Sequence, residues 1–173
     1  ALLKNYSKDF ATPDQAAAAT ALATGVKVKN GAIGVDPEGK ALPNLTELAR
    51  RSGRMTGLIT NGRLTDPTLA SFYAHATTKD EPTDLARVLV ESAEIDVVMG
   101  GGSADFLPTE KEGIRSDGRE LLLEIPGAGY DLVQKLEDLD AVPHWRAAKV
   151  FGVFARRELA FSDDEEGRGE QPT

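Results

Sequence analysis

The chain has 173 residues, 40% of them hydrophobic, with a formal net charge of −8. That length can bury a real core in one domain, while the acidic balance excludes a broad nucleic-acid surface, which needs clustered Lys and Arg. No cysteine is present, which excludes disulfides, thiol catalysis and thiolate metal sites, and no apolar run approaches the ~20 residues of a membrane helix.

The N-terminal "ALLKNYSKDF" lacks the apolar core of a signal peptide. Thr12 to about Thr24 then reads as a helix rich in alanine. "NGAIGVDPEGK" is dense in glycine and turn residues and reads as a loop. "LPNLTELARRSG" reads as a helix ending at Gly53, with Leu45, Leu48 and Ala49 on one apolar face. "MTGLIT" is a short apolar strand, and "DPTLASFYAHATT" restarts a helix with Pro67 just inside it. "TDLARVLVESA" is a further amphipathic helix. "IDVVMGGG" is a buried-type strand running into glycines. "GYDLVQKLEDL" reads as a helix and "KVFGVFA" as a last strand. This alternation predicts a parallel sheet with helices on both faces, Met55–Thr60 and Ile95–Met99 being interior strands. From Ser162 onward "SDDEEGRGEQPT" is acidic and without apolar periodicity, the composition of a disordered tail or linker.

Three segments carry candidate chemistry. At the first helix, Thr12 can serve as N-cap, Pro13 as first helical residue and Asp14 as an acid favoured by the dipole. Gln15 falls three residues after Thr12, so the two fit a capping box, and that reading accounts for Gln15 without a function. In "TNGRLTDPTLASFYAH", Asp66 and Thr68 lie beyond the carboxyl end of a strand, where α/β sheets hold ligands, and a carboxylate with a hydroxyl suits a hard cation such as Mg²⁺. The competing reading is that Asp66 or Thr65 caps the next helix, with Thr68 in its first turn. His75, within that helix, reads as packed and hydrogen-bonded rather than as a ligand, and His144 shows no metal spacing. In "MGGGSADF" the third glycine of a dinucleotide fingerprint is replaced by Asp105, so the glycines read as a tight turn with close backbone approach.

Taken together, these segments resemble the alkaline phosphatase family. "PDQAAAATALATGVKVKNGAIGVD" after "ALLKNY" is similar to the family's nucleophile block, and "GLITNGRLTDPTLASFYAHATTK" to its magnesium-site block. "DVVMGGGSADFLP", "GIRSDGRELLLE" and "FGVFARREL" have counterparts in the same order. The resemblance implies a three-layer α/β fold, with residues 1–161 as the central part of the family domain and 162–173 as a tail or linker. It implies hydrolysis of phosphomonoesters through a phosphoserine, at a site holding zinc and magnesium. Transferred by position, the serine falls on Gln15, directly after Asp14, and the magnesium ligands on Asp66 and Thr68. The phosphate-gripping arginine falls on Lys79, so phosphate contact is assigned to Asp14, Gln15 and Lys79.

Two positions depart from the family pattern. Lys79 keeps the charge but lacks the bidentate fork of arginine. Gln15 is an amide and cannot form a covalent phosphoenzyme. The family's first metal-binding aspartate and its remaining zinc ligands, including a Glu-Gly-Gly-x-Ile-Asp-x-x-x-His block, have no counterpart in these residues. The chain is therefore expected to be a central segment of a longer protein, not stable alone, with an apolar sheet edge where a strand is missing. Three functions compete: an enzyme segment impaired in turnover, a non-catalytic relative that binds phosphate or metal, and a plain α/β interaction domain. The family is often dimeric and exported, which implies a homodimer in the periplasm or outside the cell.

Overall fold

The computed structural model describes residues 5–76, 82–143, 145 and 149–160. The expectations for Lys79, His144 and the tail from 162 lie outside these residues.

The first helix, α1 (Gln15–Thr24), forms because a run of alanines carries no side-chain entropy penalty. Its cap is Asp14, not Thr12. The Asp14 carboxylate accepts from the Ala17 backbone N–H at 2.8 Å, and its other oxygen accepts from Gly31 N–H at 2.8 Å. A carboxylate bonds a helix-start N–H more strongly than a neutral hydroxyl does, so the capping-box reading of Thr12 and Gln15 is corrected. Gly25 closes the helix in the left-handed conformation, its N–H donating to Ala21. The small face Ala16, Ala17, Thr20 and Ala23 is buried and lets the loop after α1 pack closely. Thr20 Oγ1 donates to Ala32 O at 3.0 Å and accepts from Gly34 N–H at 3.0 Å. At Gly34 a Cβ would fall 2.3 Å from Ala74 O, so only glycine fits that crossing.

The helix α2 (Leu45–Arg51) is capped by Asn44, which accepts from Glu47 N–H at 3.0 Å. The expected apolar face is not buried here: Leu45 is 58% and Leu48 49% exposed. The strand β1 (Gly57–Arg63) follows, then a short helix α3 (Pro67–Ala70), α4 (Pro82–Glu91) and β2 (Val97–Gly101). The expected long helix from Asp66 thus ends at Ala70. The chain turns there and Ala76 pairs with Ile33 in an isolated antiparallel bridge, which draws it out of helical geometry. The helix α4 buries Leu85, Ala86, Leu89 and Val90 on one face, as its periodicity predicts.

Beyond β2 come a short helix α5 (Leu121–Glu124), β3 (Tyr130–Val133), α6 (Leu136–Ala141) and β4 (Lys149–Val153). The segment read as one helix, "GYDLVQKLEDL", is split into β3 and α6. Tyr130 explains the split: its ring packs edge-on to Phe151 and its hydroxyl donates to Ile95 O at 2.6 Å, fixing those residues against the sheet. The four described strands run parallel in the order β1-β2-β4-β3. Val98 faces Leu58 on one side and Phe151 on the other, so β2 is interior as expected. The strand β1 is at the edge among the described residues, which corrects its placement as an interior strand. Its Ile59 is 71% exposed, an apolar residue on a sheet type normally covered on both faces.

Candidate active site

Parallel α/β sheets present their ligand sites beyond the carboxyl ends of the strands. Here that position is taken by the turn after β1. Asp66 is the N-cap residue of α3 by backbone conformation, but its side chain makes no capping bond. Its Oδ2 instead reaches back to accept from the Arg63 backbone N–H at 3.1 Å. Burial outweighs that bond and pushes the Asp66 carboxyl above the usual carboxylate range. Among the described residues it has no ion-pair partner.

Thr68 lies two residues further, exposed, on α3. Gln15 Nε2 donates to Thr68 Oγ1 at 2.7 Å. The first residue of α1 and the first turn of α3 therefore meet, joined more deeply by a contact between Thr20 and Ser71 hydroxyls at 3.2 Å. The turn after β1 and the start of α1 form one polar surface.

His75 lies past α3 rather than inside a helix. Its Nδ1 is 2.7 Å from Gly34 O and its Nε2 2.8 Å from Glu47 Oε1, the hydrogen-bonded role expected of it. Among the described residues no group of three or more His, Cys, Asp or Glu could hold a metal ion, and no helix is long and apolar enough to cross a membrane.

Arg63 and Arg115 were not singled out by sequence reasoning, and Asp105 was noted only as a departure from a glycine pattern. Arg63 and Asp105 form an ion pair in which Asp105 is buried and Arg63 partly exposed, the guanidinium gripping both carboxylate oxygens. The signal was present at Asp105, a charged residue where a third glycine was sought, but it counted there only as a mismatch. Arg115 is also buried, donating to Thr83 O at 2.7 Å and to Asp117, and ties the segment before α5 to the start of α4.

The model of the family described as alkaline phosphatase matches residues 1–172. The chain is 40% identical over 166 residues to alkaline phosphatase H of Pseudomonas aeruginosa, covering 85% of this chain and 34% of that protein. It is 33% identical over 175 residues to alkaline phosphatase of Escherichia coli, covering 90% of this chain and 37% of that protein. The repressible alkaline phosphatase of Saccharomyces cerevisiae is 33% identical over 182 residues, 93% of this chain and 31% of the relative. Among solved structures, the alkaline phosphatase of the Antarctic bacterium TAB5 superposes with a TM-score of 0.79 at 27% identity, covering 96% of this chain and 46% of that one. A histidine-to-aspartate mutant of the same enzyme, solved with magnesium bound, has the same TM-score at 26% identity. The chain spans about a third of the length of these curated relatives. With a match over nearly every residue and a shared parallel sheet, the chain belongs to the alkaline phosphatase family.

Proposed function

We propose that these residues form the phosphate- and magnesium-facing part of an alkaline-phosphatase-family domain, in which binding persists and the covalent phosphoserine step is lost. The observation that carries this reading is the bond between Gln15 and Thr68. By family position these are the nucleophile and a magnesium ligand, and a phosphate bridging both needs them side by side. Gln15 offers an amide N–H to that surface but no oxygen that can be phosphorylated. This favours the binding relative over a turning-over enzyme.

Magnesium fits the residues present. Asp66 and Thr68 supply a carboxylate and a hydroxyl oxygen, and Mg²⁺ is commonly held by one or two carboxylates with waters completing its shell. Burial that penalises the Asp66 charge is relieved by a dication beside it. When bound, the ion would supply Lewis-acid polarisation of a phosphate oxygen. Zinc, which the family also implies, takes clustered nitrogen, sulfur or carboxylate ligands, and no group of three or more such side chains occurs among the described residues. Asp14 serves here as the helix cap that orients Gln15, its carboxylate already held by backbone N–H groups. Lys79 supplies charge to phosphate by family position. The family implies a phosphomonoester or free phosphate as ligand, a homodimer, and a periplasmic or extracellular setting.

Calorimetric titration of Mg²⁺ and of inorganic phosphate into the protein tests this reading. Mg²⁺ binding is expected in wild type and absent in Asp66→Asn, with no tight stoichiometric zinc binding. Robust release of phosphate from a simple aryl phosphate with Gln15 in place would overturn it.

A further inference from the structure

We propose that Asp105 is a positioning residue for the turn that carries Asp66, acting through Arg63 and Thr65. Asp105 is 1% exposed and sits in the 3-10 turn Ser103–Phe106 that follows β2. Its carboxylate accepts from Arg63 Nε at 3.1 Å, from Arg63 Nη2 and from Thr65 Oγ1. Arg63 is thereby held at two points. Its side chain is fixed on Asp105, and its backbone N–H donates to Asp66 Oδ2. Leu64 between the two donors is fixed as well: its N–H donates to Gly101 O at 3.0 Å and its carbonyl accepts from the Tyr73 hydroxyl at 3.0 Å.

A purely structural role explains this pair poorly. Burying the Asp105 carboxylate costs desolvation that its attraction to the partly exposed Arg63 guanidinium must offset, and apolar residues of similar volume often stabilise a fold as well or better. A forked, bidentate pair supplies direction instead. The geometry here demands that directional role at close quarters. A Cβ on Gly102 would lie 3.1 Å from Arg63 Cβ and 3.3 Å from Asp105 Oδ2, so the loop after β2 is drawn tightly onto the turn after β1. What that turn presents is the Asp66 carboxylate, which needs a fixed orientation to meet a cation. The link to magnesium rests on the functional reading above; the hold on the turn does not.

The test compares Asp105→Asn with the double change Arg63→Met and Asp105→Leu, which removes the fork yet keeps an apolar pair of similar bulk that can fold. Two readouts are taken on each: amide hydrogen exchange, and Mg²⁺ affinity by calorimetry. Protection at the Arg63 and Leu64 amides should fall by roughly tenfold while Val98 and Phe151 amides keep theirs. Mg²⁺ affinity should fall by about ten- to a hundredfold, as it does when residues that orient a metal ligand are removed. Unchanged protection of the residue-63 amide in the double variant overturns the proposal. So does unchanged Mg²⁺ affinity alongside lost protection, which is the result a merely structural pair would give. If wild type and Asp66→Asn alike bind no Mg²⁺, the functional reading fails, and the exchange data still decide whether Asp105 holds the turn.

Discussion

Gln15 Nε2 donates to Thr68 Oγ1 across 53 positions of sequence, at 2.7 Å, and so joins the start of α1 to the start of α3. The bond is exposed to solvent, so its net worth is set by competition with water rather than by its short length. A double-mutant cycle of Gln15→Ala and Thr68→Val should return a coupling of about 0.5–1 kcal/mol by denaturant unfolding. A coupling indistinguishable from zero would mean that the two groups are bonded to water instead.

Asp66 gives a pH dependence whose sign can be worked out. Its folded-state pKa is raised by burial, so the ionised form is disfavoured in the fold. The stability it contributes is present below the unfolded carboxylate pKa and is lost as pH rises through the raised value. Without metal, Asp66→Asn should therefore be more stable than wild type near neutral pH, and the gap should close as pH falls to about 4. Saturating Mg²⁺ should narrow the neutral-pH gap by stabilising wild type alone. Wild type more stable than the amide variant at neutral pH without metal would contradict the sign.

Phe151 is fully buried in β4 and packs edge-on against both Phe106 and Tyr130, with ring centroids 5.7 Å apart in each pair. Phe151→Ala should destabilise the fold by about 3–5 kcal/mol, through lost transfer energy and the cavity left behind. Phe151→Leu should cost markedly less. Equal losses for both, read from denaturant midpoints, would show that volume at this site does not matter.

These packing partners also show what the sequence made legible. The apolar runs of β2 and β4 and the 3.6-residue period of α4 were readable because burial on a sheet or helix face imposes them directly. The 130–141 segment was misread because β3 has four residues, too few for a period to declare itself, and Tyr130 is held by distant Phe151 and Ile95. Leu45 and Leu48 carried a correct helical pattern whose face is nevertheless exposed. A pattern says which residues share a face and not what covers it. At the candidate site, Asp66 and Thr68 were singled out from their place beyond a strand. The Gln15–Thr68 bond and the Arg63–Asp105 fork depend on residues 53 and 42 positions apart, a separation that local spacing does not encode.

The edge strand carries its own expectation. Ile59 is 71% exposed on β1, with Met55 at 67% just before it. An apolar edge of this kind, without a strand partner on its outer side among the described residues, templates pairing with another chain. Ile59→Lys should lower self-association of the protein, seen by light scattering, while leaving the unfolding midpoint within about 0.5 kcal/mol of wild type. Unchanged association would show that this edge is not the sticky surface.

The last expectation concerns turnover. Gln15 cannot accept a phosphoryl group as a serine does, and the described residues hold no zinc cluster to activate a water in its place. Residues 1–173 should therefore release no phosphate from an aryl phosphate above background at alkaline pH with zinc and magnesium added. Gln15→Ser alone should not rescue them, because the described residues hold no zinc cluster at the α1 start to lower the pKa of that hydroxyl. In a longer protein that carries the remaining family ligands, the same change should raise activity by a factor on the order of 10², the share left to nucleophilic catalysis once the metals are in place. Activity of the 173 residues with glutamine present would mean that another side chain takes the phosphoryl group, and mass spectrometry of the trapped phosphoprotein would name it.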